Sequence, residues 1–148
     1  IYYLANSFSD GLSYIKLDLY NLLPSYIRET KQRLSTMTKI NIKPLSVNEA
    51  WRGKRFKTEK YKVYERALLH LLPSAVIPKD IVFQLDIHFY FSNKASDLDN
   101  PVKLIIDIIQ KKYDINDKNI YKLTVEKSIV KKGFEAFEFS LYEYKKEV

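Results

Sequence analysis

The chain has 148 residues, 46% of them hydrophobic and 29% charged, with 25 Lys or Arg against 18 Asp or Glu. That length suits one ordinary domain with a core of its own, and the formal charge of +7 points to a polyanionic partner. Cysteine is absent and His70 and His88 are the only imidazoles, which excludes disulfides and thiolate centres and leaves a hard, oxygen-ligated cation as the metal the side chains favour.

No apolar run reaches the ~20 residues needed to cross a bilayer, and the first residues lack the basic start and apolar middle of a signal peptide. A cytoplasmic protein with no membrane partner is therefore expected. Residues 1–36 read as a helical extension, because Leu12, Ile15, Leu19, Leu22 and Leu23 recur at helical spacing and Pro24 divides the run. Met37, the single methionine, stands just before the first strand-like run, "KINIKPL", so the domain proper is expected to span 37–148. The extension is either an addition upstream of that domain or a helical arm that packs on it or on a second copy.

After a short strand at Lys39 to Lys43, "PLSVNEAWRGKRFKTEKYKVYERALLHLLP" begins as a loop and becomes a helix from about Thr58 to Leu72, stopped by Pro73. Lys39 to Arg66 holds nine Lys or Arg against three Glu, with Trp51, Phe56 and Tyr61 interleaved. Such a mixture suits a phosphate backbone together with stacking against bases, although a solvated helix face is equally basic. Asn48, Trp51, Arg52, Lys54, Arg55, Lys57 and Lys60 are the candidate contacts to a phosphate backbone here, joined by Lys94 further on.

"DIVFQLDIHFYF" alternates cleanly, with Phe83, Leu85, Ile87, Phe89 and Phe91 on one face and Gln84, Asp86, His88 and Tyr90 on the other. A half-exposed strand face accounts for Asp86 and His88, which stay outside the candidate site. Asn100 is expected to cap the next helix with Pro101 at its first position. Val102, Ile105, Ile106 and Ile109 form its buried stripe, supplemented by Leu104 and Ile108, and Lys111 and Lys112 close it at the favourable end of its dipole. "NIYKLTVEKSIV" and "FEAFEFSLYEY", joined at "KKG", read as a hairpin. The order from Lys39 is thus β-α-β-α-β-β, an α+β domain with a mixed β-sheet and flanking helices.

Between the long strand and its helix lies "SDLDNPVK". Asp97 and Asp99 flank Leu98, so in extended backbone their carboxylates point the same way, about 7 Å apart. Carboxylates so placed can share a hard cation. Lys103 lies one helical turn beyond Asp99 and Asp107 one turn further, which makes a polar ridge on an otherwise apolar helix. Taken alone, the acid pair could equally be an elaborate helix N-terminus.

The larger segment, "SDLDNPVKLIIDIIQKKYDINDKNI", resembles the RusA family of Holliday junction resolvases in residues and spacing. The family's D-L-D-N followed by a lysine is matched by Asp97, Leu98, Asp99, Asn100 and Lys103, and its third acid by Asp117. The early P-x-S-x-N loop is matched by Pro44, Ser46 and Asn48, and the likeness extends over about Lys39 to Tyr144. Two features depart from the family pattern. "SNKAS", with Lys94 alone, replaces an arginine run before the first acid, so the DNA contact expected there is either weaker or moved to the Arg52 to Lys62 loop. The connection before Asp117 is one residue shorter, with Asn116 where an acid often stands and Asp114 as the lesser substitute for Asp117.

The resemblance implies a homodimeric, Mg²⁺-dependent endonuclease that resolves four-way DNA junctions by paired nicks in recombination and repair, in a bacterial or phage-infected cytoplasm. Asp97, Asp99 and Asp117 would hold one or two Mg²⁺, replaceable by Mn²⁺, and Lys103 would be catalytic beside them. A phosphatase of the D-x-D type would need Gly and Thr after its acids, and an EF-hand would need a glycine and a distal glutamate that neither "DLDNPVK" nor "DINDKN" supplies. The alternative outside enzymes is a basic DNA-binding or architectural protein whose acids are structural.

Overall fold

Alternation along the central strand organises the domain. In the computed structural model, which describes residues 37–53 and 56–146 together with Leu22, Phe83, Leu85, Ile87, Phe89 and Phe91 are all buried and the residues between them are half-buried. The helices expected within residues 1–36 lie outside the described residues, apart from Leu22, which is helical and exposed.

The chain runs β1 (Thr38–Ile40), α1 (Val47–Ala50), β2 (Trp51–Arg52), β3 (Phe56–Lys57), α2 (Glu59–Leu71), β4 (Phe83–Phe91), α3 (Val102–Tyr113), a 3₁₀ turn (Asp117–Asn119), β5 (Ile120–Ile129) and β6 (Ala136–Glu143). The main elements follow the expected α+β order. The basic segment expected as plain loop instead folds into α1 and a two-stranded β2-β3 ribbon. A capping box starts α1: Ser46 Oγ accepts from the Asn48 N–H, and Glu49 accepts from the Ser46 N–H. Gly53, at φ +59°, takes the left-handed turn after β2.

The main sheet has the order β1-β6-β4-β5 and mixed orientation. β5 runs parallel to β4, with α3 making the crossover, while β6 lies antiparallel between β4 and β1. The expected hairpin of the last two strands is therefore not formed. Burial decides against it, because Ala136, Phe137, Phe139 and Leu141 are buried only with β6 inside the sheet. The more polar β5, with Lys122, Glu126 and Lys127 exposed, takes the edge. The link through Gly133 passes the end of β4, where the Val130 N–H donates to the Phe91 carbonyl at 2.8 Å. β1 is also shorter than expected, since the Ile42 N–H turns back onto the Ile40 carbonyl.

One face of the sheet carries the core. Phe89 packs on Phe91 and Phe137, and Leu104, Ile105, Ile108 and Ile109 of α3 join Tyr61, Tyr64 and Leu68 of α2 over it. Leu104 and Ile108 are central to the α3 stripe, and Val102 and Ile106 are only half-buried at its margins. The two helices are tied by polar contacts as well. Lys111 bonds to Glu65, Lys112 Nζ to the Leu69 carbonyl, and Tyr113 Oη to the Pro73 carbonyl.

Candidate active site

The acid loop is set by a hydrophobic anchor. Leu98 packs half-buried against the core, which leaves Asp97 and Asp99 exposed on either side of it. Asn100 does not cap α3 as expected. Its side-chain amide donates to Asp97 Oδ2 at 3.2 Å, Pro101 rather than Asn100 precedes the first helical residue, and the Val102 N–H is taken by the Asp99 carbonyl at 3.1 Å. A backbone bond thus replaces the side-chain cap. Lys127 of β5 fixes the segment before the acids by donating to the Ser96 carbonyl at 2.8 Å.

Two motifs that are distant in the sequence meet here. The Val47 N–H donates to the Asn100 carbonyl at 3.1 Å, so the turn holding Ser46 and Asn48 abuts the loop holding Asp97 and Asp99. From the first turn of α3, Lys103 Nζ reaches Asp107 at 2.8 Å and Asp117 at 3.3 Å. Asp117 is exposed at the head of the 3₁₀ turn, and its N–H donates to Gln110 Oε1 at 3.1 Å. Asp114 is placed differently: at φ +52° it forms the left-handed cap of α3, and its carboxylate pairs with Lys79. The hydrogen bond that Lys103 donates to Asp107, aided by the one to Asp117, raises the Lys103 pKa above its ordinary value of 10.5 despite some desolvation. Lys103 is therefore an ammonium at neutral pH.

The donor chemistry suits a hard cation, with exposed carboxylates and no soft ligand. Among the described residues no three His, Asp or Glu side chains converge as a ready metal-binding group. Mg²⁺ uses one or two carboxylates and keeps several waters, a smaller demand that suits the exposed Asp97 and Asp99 loop.

The basic segment divides on closer view. Arg52 and Lys94 are exposed, and Asn48 lines an open cleft of about 460 Å³ with Val47, Trp51 and Gly53. Lys60 is paired with Glu49, and Lys57 lies over the Tyr61 ring with its ammonium 3.7 Å from Glu65. Lys54 and Arg55 lie outside the described residues. The interleaved aromatics do not form one stacking surface: Tyr61 is 1% exposed, Trp51 packs on it at the core margin, and Phe56 alone of the three stands out, at 72%. The core claims Tyr61, whereas Trp51 is half-buried and lines the open cleft with Asn48.

Gln110 and Lys127, which hold Asp117 and the acid loop, are not apparent as site residues from the sequence. Gln110 carries a signal in hindsight, lying two helical turns from Lys103 on the ridge that already includes Asp107. Lys127 carries none, because its role depends on β5 lying beside β4. Among the described residues no helix is long and apolar enough to cross a membrane. No protein-family model matches the chain, and no curated protein matches it significantly.

Proposed function

We propose that this chain is a RusA-like endonuclease that, as a homodimer in the cytoplasm, nicks opposed strands of four-way DNA junctions. The reading is carried by Lys103, which leaves the helix behind the acid pair and meets Asp117, fourteen residues on, at 3.3 Å. That contact puts a third acid on the ammonium that follows the acid pair in the sequence, and two carboxylates, a cation and a third acid are groups suited to phosphodiester hydrolysis. Asp97, Asp99 and Asp117 hold Mg²⁺, which when bound acidifies water and offsets phosphate charge. Lys103, kept protonated by Asp107, steadies the phosphate oxygens as negative charge develops on them. The adjoining Asn48 turn, with Arg52 and Lys94, lies along the backbone of the bound arms.

The test is cleavage of a synthetic four-way junction with and without Mg²⁺, compared with linear duplex of the same sequence. Metal-dependent, paired, symmetry-related nicks in the junction are expected. Tight junction binding with no cleavage in Mg²⁺ or Mn²⁺ would leave the DNA-binding, non-catalytic reading in its place.

A further inference from the structure

β5 is the edge strand of the main sheet, and among the described residues it pairs with β4 alone. At 10 residues it is long for an edge, and it contains no proline or glycine to blunt it. Its helix-side face is uncovered at Leu123 and Ile129, each 43% exposed. On the other face, Lys122, Thr124 and Glu126 stand opposite Gln84, Asp86 and His88 of β4. Glu126 lies 3.5 Å from His88 Nδ1, and Lys122 has no carboxylate within salt-bridge distance among the described residues.

We propose that β5 pairs antiparallel with β5 of a second copy, about a two-fold axis through Thr124, to form one continuous eight-stranded sheet. This rests on the homodimer of the proposed function and gives it an interface. Directly opposed residues of an antiparallel pair share a face, so a two-fold axis normal to the sheet must pass through a residue and not between two. An axis through Val125 would set Leu123 against Lys127 and leave Lys122 facing Ser128. An axis through Leu123 would set Lys122 against Thr124. Through Thr124, Lys122 of each copy faces Glu126 of the other, and Leu123 faces Val125, each pairing occurring twice by symmetry. Both charged pairs then lie on one face and both apolar pairs on the other. Lys127, whose ammonium already holds the acid loop, lies on the same strand three residues beyond the axis, so the interface adjoins the candidate site.

The chain lacks cysteine, so Thr124→Cys in the full-length protein introduces a single thiol. Opposed Cα atoms in such a pair are about 4.5–5.5 Å apart, within disulfide reach. Mild oxidation should link T124C into a covalent dimer. Lys122→Cys, whose two copies lie four residues out of register, should stay unlinked. In sedimentation equilibrium, Lys122→Glu or Glu126→Lys alone should weaken the dimer by about tenfold or more, and the double swap should restore it, with circular dichroism confirming folded protein throughout. A monomeric or unlinked T124C, or a double swap that fails to rescue, overturns the interface, whether residues 1–36 or another surface occupies the edge. Junction cleavage is scored separately. A linked dimer without cleavage retains the interface and rejects the nuclease, and cleavage by an unlinked protein does the reverse.

Discussion

Lys103 and Asp117 are fourteen residues apart in the chain and 3.3 Å apart in space, and Asp107 holds the same ammonium at 2.8 Å from the next turn of the helix. Because the Asp107 hydrogen bond raises the Lys103 pKa, ahead of the contribution of Asp117, removing it should lower that pKa toward 10.5. The linkage has a definite sign. A raised lysine pKa contributes stability that is complete below about 10.5 and is lost as pH rises through the folded value. Following the lysine Cε resonances with pH should place Lys103 above its ordinary range in the wild type and nearer to it in Asp107→Asn. Equal titration in both proteins would remove Asp107 from any role in holding the cation.

Glu65 gives the opposite sign. Burial pushes its carboxyl up, but the hydrogen bond from Lys111 and the charges of Lys57 and Lys111 outweigh that, and its pKa is lowered below 4.5. A lowered carboxylate pKa contributes stability that is present above about 4.5 and lost as pH falls through the folded value. Glu65→Gln should therefore cost about 1–3 kcal/mol at neutral pH, since the side chain bonds across the α2–α3 interface with little exposure to water. The deficit should shrink in acid. Urea midpoints of the two proteins, compared between neutral pH and about pH 4, read it directly, and a gap that does not change with pH would refute the ion-pair account.

How far the sequence anticipated this arrangement follows from which constraints are local. The alternation of Phe83 to Phe91 and the helical spacing from Leu104 to Ile109 are properties of single segments, and both elements form as expected. Strand neighbours are not local. "KKG" reads as a hairpin turn whether β6 lies beside β5 or across β4, and only the need to bury Phe137 and Phe139 within the sheet separates the two. The same holds at the site. The acid spacing is legible in residues 97 to 117, whereas the burial of Tyr61 in the core depends on how α2 packs. Asn100, a good cap by type, is turned instead onto Asp97, because the Asp99 carbonyl already closes the first turn.

The basic segment should bind phosphate backbone and not base edges. Arg52 is exposed, whereas Lys60 is occupied by Glu49 and Lys57 by Tyr61 and Glu65. Replacing Arg52, Lys54 and Arg55 together with alanine should weaken junction binding and flatten its log-log salt dependence, by about one unit for each phosphate that is no longer neutralised. Lys60→Ala alone should change the slope less, because its charge is already partly spent within the protein. Binding isotherms over a series of salt concentrations give the slopes. If the triple variant keeps the wild-type slope, the DNA path lies elsewhere on the surface.

The acids themselves separate a metal site from a helix terminus. If Asp97, Asp99 and Asp117 hold Mg²⁺, each Asp→Asn change removes a ligand charge and should cost several orders of magnitude in cleavage. Binding should move the other way. Without metal these exposed carboxylates repel the phosphates they face, so neutralising one should leave junction affinity equal or improved. A structural role predicts something different for each residue. Asp99 contributes its backbone carbonyl to the first turn of α3, which asparagine retains, and Asp97 accepts from the Asn100 amide, which an asparagine oxygen can also do. Structural acids would thus tolerate asparagine in both properties. Lys103→Ala adds the control, since it should abolish cleavage without improving affinity, having removed a positive charge. Wild-type cleavage rates in folded Asp97→Asn and Asp99→Asn would sink the nuclease assignment. Cleavage abolished in both with metal-free binding intact would place the chemistry at the loop that Leu98 anchors to the core.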